Sequence, residues 1–111
     1  MKLQDKKCVP CEGGTPPLRK NEAKKYLAEL QGDWKIVEGK KIQRELKFKD
    51  FKEAMAFVNK VADIAESEGH HPDIHVHYNR VMIELWTHAV GGLSENDFIL
   101  AAKIDGILGR A

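Results

Sequence analysis

The chain has 111 residues, of which 42% are hydrophobic and 32% are charged, and its formal net charge is +1. This length suits one domain with a modest core, and the composition is that of an ordinary globular protein. So small a net charge argues against a nucleic-acid partner, and no stretch approaches the roughly 20 apolar residues of a membrane span. We therefore predict a cytoplasmic domain without a nucleic-acid or membrane partner.

Residues 1–17 are predicted to form a flexible N-terminal arm outside the core. The segment has no hydrophobic periodicity, and Gly13-Gly14 and Pro16-Pro17 favour turns and extended backbone. Cys8 and Cys11 have the Cys-x-x-Cys spacing of zinc knuckles and redox sites. One such pair cannot complete a tetrahedral zinc site by itself, so we interpret the segment as a reduced arm.

The single domain is predicted to span residues 18–111 and to begin with a helix and a β-hairpin. Asn21 can cap the helix, and Gly32 lies just past its end. The apolar face of this helix consists of Ala23, Tyr26, Leu27 and Leu30. Two strands with alternating apolar and polar residues follow, joined by a turn at Gly39. The second strand places Arg44 in the same row as its apolar side chains.

The second helix has the strongest pattern in the chain. Asp50 followed by Glu53 has the form of a capping box, and Gly69 is the expected C-terminal stop. Between them, apolar residues recur at steps of three and four, as on one face of a helix. These residues are Phe51, Ala54, Met55, Val58, Val61, Ala62 and Ala65.

A second hairpin and a third helix complete the predicted order. Alternating residues indicate two strands on either side of a turn at Asn79-Arg80, the second closing at His88, and residues 94–97 resemble another capping box. The order helix-strand-strand-helix-strand-strand-helix predicts an α+β two-layer sandwich, with three helices on one face of a four-stranded antiparallel sheet. Met82 and Trp86 would lie on the other face, where a second subunit can bury them.

All five histidines lie between residues 70 and 88. Imidazole titrates near neutral pH, so a group of histidines can place a proton donor and a proton acceptor in one pocket. Pro72 disfavours helical geometry at His71, so the chain should turn there. If the second hairpin packs beside the end of the second helix, His88 approaches this corner. Glu66, one helical turn before His70, can accept a hydrogen bond from an imidazole.

The spacing of these residues resembles the signature of the pterin-4a-carbinolamine dehydratases. The matching positions are Glu66, His70, His71, Pro72, Tyr78, His88 and Asp97, and the blocks 68–72 and 86–97 resemble the family as well. The resemblance implies a hydro-lyase, a 4a-hydroxytetrahydrobiopterin dehydratase, that removes water from a 4a-hydroxytetrahydropterin to give the quinonoid dihydropterin. Histidines would act as acid and base, with no metal and no organic cofactor, because the pterin nitrogen supplies the electron push.

The resemblance also implies roles for individual residues and partners. The expected catalytic residues are His70, His71, His88 and Glu66. The expected substrate-binding residues are Gly69, Pro72, Trp86, Thr87, Ala89 and Asp97. A homodimer or homotetramer is expected, together with a functional link to an aromatic amino acid hydroxylase in tetrahydrobiopterin recycling. Gly69, Ile74 and Ala89 depart from residues common in the family, which bears on substrate affinity and specificity.

Three alternatives remain open at this point. The chain can be a pterin-binding, dimerisation or regulatory module without significant catalysis, or a relative that acts on a molybdopterin-type ligand. A metal site built from His71, His75 and His77 would suit zinc or nickel, although no established zinc motif accompanies these residues. His75 and His77 alternate with the apolar residues of their strand, so we expect them to be exposed or interfacial.

Overall fold

In a computed structural model of the chain, residues 2–9 and 16–108 are described. The helices are α1 (Lys20–Glu29), α2 (Phe51–Glu68) and α3 (Glu95–Leu108), and the strands are β1 (Lys35–Val37), β2 (Lys41–Lys47), β3 (Asp73–His77) and β4 (Arg80–Leu85). Two short 3-10 helices lie at Leu3–Asp5 and His88–Val90. The order of the helices and strands and the α+β class are as predicted.

The four strands form one antiparallel sheet in the order β1-β2-β4-β3. The register places Ile42 opposite Leu85 and Ile74 opposite Ile83, so these side chains share one face. That face is buried against α2, which packs on β4, while α3 packs against both α1 and α2. No helix in the described part of the chain is long and apolar enough to cross a membrane.

Both ends of α2 follow the predicted chemistry. The Asp50 carboxylate accepts a hydrogen bond from the Glu53 backbone N–H at 2.9 Å, and Gly69 ends the helix with φ of 66°. The cap of α1 differs from the prediction, because the N-cap is Arg19 and Asn21 lies inside the first turn. There the Glu22 carboxylate accepts the Arg19 backbone N–H at 2.9 Å, which satisfies a donor that a cap must cover.

Of the two hairpin turns, the first lies where it was predicted and the second does not. The first lies at Glu38 and Gly39, both with positive φ, as predicted from the glycine. The second was predicted at Asn79-Arg80, but His77 pairs with Arg80, so the loop residues are Tyr78 and Asn79. Alternation of side chains continues through Tyr78 and no glycine marks the turn, which is why the prediction is one residue late.

The first residues of the chain pack on α3. Leu3 and Cys8 are only 4% and 7% exposed and belong to the hydrophobic core, and the Lys103 Nζ donates to the Gln4 carbonyl at 3.0 Å. The expectation that the whole arm lies outside the core is therefore wrong for residues 2–9. The flexibility of the arm and a domain boundary at residue 18 stay predictions, and Cys11 lies outside the described residues.

A buried carboxylate explains the arginine in an apolar row of β2. Asp105 of α3 is 6% exposed, and it forms an ion pair with Arg44. The same carboxylate accepts the Trp34 indole N–H at 2.9 Å and the Gly32 backbone N–H at 3.0 Å. Asp105 thus joins α3, β2 and the segment between α1 and β1 beneath the sheet.

Candidate active site

His70 lies where the chain leaves α2 on its way to β3, and its side chain reaches α3. Its backbone N–H donates to the Ala65 carbonyl at 3.2 Å, one of the hydrogen bonds that close the helix. Its side chain is 12% exposed, and Nε2 lies 2.6 Å from Oδ1 of Asp97, which is fully buried. Since a carboxylate only accepts hydrogen bonds, Nε2–H is the donor, and Nδ1 is the ring nitrogen that remains for proton exchange.

Asp97 holds His70 while it caps α3. Its Oδ2 accepts the Ser94 backbone N–H at 2.9 Å and the Thr87 hydroxyl at 3.0 Å, and the Thr87 and Ser94 hydroxyl oxygens lie 2.7 Å apart. A buried carboxylate is tolerated where charge-assisted hydrogen bonds replace its water. This carboxylate is therefore well placed to stabilise a proton on the neighbouring imidazole.

A cavity of about 310 Å³ lies against His70. It is lined by Cys8, Val9, Glu68, Gly69, His70, Thr87, Ala89 and Asn96. Four of these, Gly69, His70, Thr87 and Ala89, are among the residues predicted for the site, and Asp97 is bonded to two of them. A larger cavity of about 500 Å³ beside β1 and β2 has no histidine in its lining, so chemistry and not size selects the smaller one.

The other predicted residues do not line this cavity. His71 is 62% exposed and lies 2.7 Å from a carboxylate oxygen of Glu66, which is 77% exposed. An imidazole partner for Glu66 is thus present, but the pair is on the surface. Pro72 is half-buried at the corner between His71 and β3.

His88 does not close β4 as predicted, because that strand ends at Leu85 and His88 begins a short 3-10 helix. The exposed imidazole lies against the half-buried Trp86 ring, with ring centroids 3.7 Å apart. The Trp86 indole N–H points to an Asp73 carboxylate oxygen at 3.4 Å. In the chain His88 stands between Thr87 and Ala89, which both line the cavity, but it is not itself part of the lining.

Sequence reasoning missed half of the cavity lining, namely Cys8, Val9, Glu68 and Asn96. Glu68 and Asn96 stand beside Gly69 and Asp97, so their position was a usable signal. Cys8 and Val9 come from the other end of the chain. The Cys8 backbone N–H donates to Glu68 at 2.8 Å, and burial with the nearby Glu68 charge raises the pKa of the Cys8 thiol to about 12.

The histidines of β3 lie apart from this corner. His75 Nε2 is 2.8 Å from Glu84 on the open face of the sheet, where the Lys41 ammonium lies 2.6 Å from the same carboxylate. The hydrogen bond from Lys41 holds the pKa of Glu84 below its ordinary value. Among residues 2–9 and 16–108, no three side chains of metal-ligating type converge on one point. A shared metal on His71, His75 and His77 has no geometric support.

Residues 16–107 match the family model described as pterin 4 alpha carbinolamine dehydratase. A Nitrosomonas eutropha protein is 53% identical over 106 residues (96% of this chain, 93% of that protein), and an Alkaliphilus metalliredigens protein is 48% identical over 103 residues (93% of each). Both are provisionally named pterin-4-alpha-carbinolamine dehydratase. The crystal structure of a transcriptional coactivator/pterin dehydratase from Brucella melitensis superposes with a TM-score of 0.76 at 39% identity, covering 82% of this chain and 97% of that one.

Proposed function

Because the chain belongs to the pterin-4a-carbinolamine dehydratase family, we propose that it converts a 4a-hydroxytetrahydropterin into the quinonoid dihydropterin and water. The observation that carries this proposal is the His70 imidazole, which lines a cavity and is held from behind by the buried Asp97 carboxylate. A positioned imidazole with a carboxylate partner is a suitable group for proton transfer near neutral pH.

The reaction breaks the C4a–O bond and removes the proton from N5, and the two fragments leave as water. In our proposal His70 accepts the N5 proton on Nδ1, because Nε2–H is bonded to Asp97. The resulting imidazolium gains a charged hydrogen bond to that carboxylate, so Asp97 acts by positioning and stabilising His70. Backbone groups at Gly69, Thr87 and Ala89, which line the cavity, are available to bind the polar edge of the ring.

The acid that protonates the leaving hydroxide is proposed to come from the rim of the cavity. His71 follows His70 and His88 follows Thr87, and both imidazoles are exposed to solvent, from which a proton can be replaced. Glu66 would polarise His71, and Trp86 would hold His88 in place through its ring contact. The comparison of variants at these two histidines assigns the acid.

The test is the dehydration of enzymatically generated 4a-hydroxytetrahydropterin, followed by ultraviolet absorbance. The variant His70→Gln keeps a hydrogen-bonding side chain but cannot exchange a proton, so we expect kcat to fall by about 10²- to 10⁴-fold. His75→Gln is the matched control, since His75 also has Nε2 beside a carboxylate, at 2.8 Å on the open face of the sheet. Failure of the wild type to accelerate the reaction over buffer would overturn the proposal.

The acid is assigned in the same assay with His71→Ala and His88→Ala. Loss of kcat in one variant, with the other close to wild type, identifies the donor of the proton to the hydroxide. If neither variant loses activity, neither imidazole is the acid, and water at the rim takes that role.

A second candidate function is a binding or regulatory module that recognises a pterin without turnover. It is favoured by the 39% identical Brucella protein, which is described as a coactivator as well as a dehydratase. This candidate predicts tight binding of a dihydropterin by wild-type protein that shows no dehydration. The enzyme proposal includes a cytoplasmic location and self-association through the open face of the sheet. It also includes a functional link to an aromatic amino acid hydroxylase, and it needs no metal or organic cofactor.

A further inference from the structure

The N-terminal strap, defined as residues 2–9, ends at the cavity that holds His70. Leu3 and Cys8 are buried in the core, and Lys6 forms an ion pair with Glu95 at 2.7 Å, so the strap is attached along its length. Its last two residues, Cys8 and Val9, line the cavity. The strap is thus a part of the candidate site that comes from outside the residues matched by the family model, which begin at position 16.

The backbone of Val9 is held at two points by one side chain. Its N–H donates to the Asn96 carboxamide oxygen at 3.0 Å, and its carbonyl accepts from the Asn96 carboxamide nitrogen at 2.6 Å. One residue earlier, the Cys8 N–H donates to Glu68 at 2.8 Å. Glu68 ends α2 and Asn96 lies in the first turn of α3, so the strap joins the two helix ends that carry His70 and Asp97.

The side chain of Val9 remains uncovered although its backbone is fixed. It is 64% exposed, whereas Cys8 beside it is 7% exposed. The rest of the lining includes the polar residues His70, Thr87 and Asn96. A flat bicyclic ring with apolar faces and a polar edge would complement such a lining, because ligand sites combine apolar contact with a few placed polar groups.

We propose that the strap is a wall of the substrate site, in which Val9 covers one face of the bound pterin ring. Asn96 and Glu68 hold the strap in this position. The inference rests on the proposed function, since it names the residues that bind the ring in that reaction. It assigns a binding role to Val9 and a positioning role to Asn96.

The first test compares Val9→Ser with Val9→Ile in the dehydration assay. Loss of an apolar contact should raise KM about tenfold and leave kcat within about threefold, while isoleucine should preserve both values. The matched control is Phe51→Ser, because Phe51 is also an exposed apolar side chain, at 49%, but lies at the start of α2 and not in the cavity lining. It should change neither value.

The second test releases the strap through Asn96→Asp. An acid is favourable near the N-terminus of a helix, but aspartate has no amide donor for the Val9 carbonyl. We expect the same rise in KM. In a Cys11→Ser background, Cys8 is the sole cysteine of the chain, and its reaction with a thiol reagent should become about tenfold faster than in the parent.

The outcomes separate this inference from the proposed function. Activity of the wild type with an unchanged KM in Val9→Ser overturns the strap as a wall and leaves the proposed function standing. Faster labelling of Cys8 in Asn96→Asp without a change in KM shows that the strap is structural only, and this also overturns the inference. Inactivity of the wild type overturns the proposed function, and the inference falls with it.

Discussion

Two buried aspartates of α3, Asp97 and Asp105, make the same kind of bond with different consequences. Both are nearly inaccessible, at 0% and 6% exposed, and both accept several hydrogen bonds. The side-chain partners of Asp105 are the Arg44 guanidinium and the Trp34 indole, which only donate hydrogen bonds. Asp97 instead binds the His70 imidazole, a side chain that can both donate and accept a proton and that lines a cavity.

The comparison shows that burial of a carboxylate does not by itself mark a reactive site. What differs is whether the partner can exchange a proton and whether that partner reaches space that a ligand can occupy. The Asp105 cluster fails the first condition. Trp34 lines a cavity, but neither its indole nor the Arg44 guanidinium is a group that accepts a proton, so the cluster holds elements together. The Asp97 cluster meets both, while it still caps α3 through Ser94.

The largest expected effect is on activity, in Asp97→Asn. Asparagine is neutral and presents an amide, so a protonated His70 loses its charged partner, and we expect kcat to fall by about 10²- to 10⁴-fold. Turnover measured on protein whose folding has been checked by circular dichroism tests this. Activity within about threefold of the wild type would mean that Asp97, like Asp105, has a structural role only.

A large effect on stability is expected in Asp105→Ala. The substitution leaves the half-buried Arg44 charge and the buried Trp34 indole N–H without their partner, so the free energy of unfolding should fall by about 3 kcal/mol. Urea denaturation measures this fall. The folded fraction should retain the kcat of the wild type, and a loss of kcat at unchanged stability would contradict the structural role of Asp105.

The pH dependence of stability sharpens the comparison with a third carboxylate, Glu84. The Lys41 ammonium holds its pKa below the ordinary 4.5. Because the folded pKa is the lower one, the stabilisation is present above the unfolded value and is lost as the pH falls through the folded value. In Lys41→Met the free energy of unfolding, measured by urea denaturation, should therefore fall less steeply as the pH is lowered from about 6 to about 3. An unchanged slope would contradict this.

The smallest effect is expected for the exposed pair His71 and Glu66. Surface ion pairs contribute little, so Glu66→Gln should change the free energy of unfolding by less than about 1 kcal/mol. Thermal denaturation of the variant beside the wild type is sufficient. A larger loss would mean that the pair is covered in solution, as it would be in an assembly of several copies.

The sequence predicted those parts of the fold that depend on local rules. The periodicity of α2, its Asp50 cap and its Gly69 stop all follow from neighbouring residues, and they are present in the structure. The turn at Tyr78 was not predicted by these rules, because Tyr78 adopts positive φ although it is not glycine. Leu3 and Cys8 lie five residues apart, so they form no periodic pattern that would have indicated burial.

The candidate site was predictable as a set of residues but not as an arrangement. The family spacing includes both His70 and His71, yet it does not tell which imidazole meets a buried acid. The Asp97 contact joins residues 27 positions apart, and the Val9–Asn96 contact joins residues 87 apart. Such pairs depend on how helices and the strap pack, which no local pattern contains.

Gly69 links the fold to the orientation of His70. Apart from the residues adjacent in the chain, no atom lies within 4 Å of the position that a methyl group would take there, so packing leaves room for a larger residue. The restriction comes from its φ of 66°, which costs most residues roughly 1–2 kcal/mol. The orientation of the His70 imidazole thus depends on the φ angle of Gly69. Substitutions at this position should be tolerated in the order in which residues adopt left-handed backbone conformation, with asparagine accepted before alanine or valine.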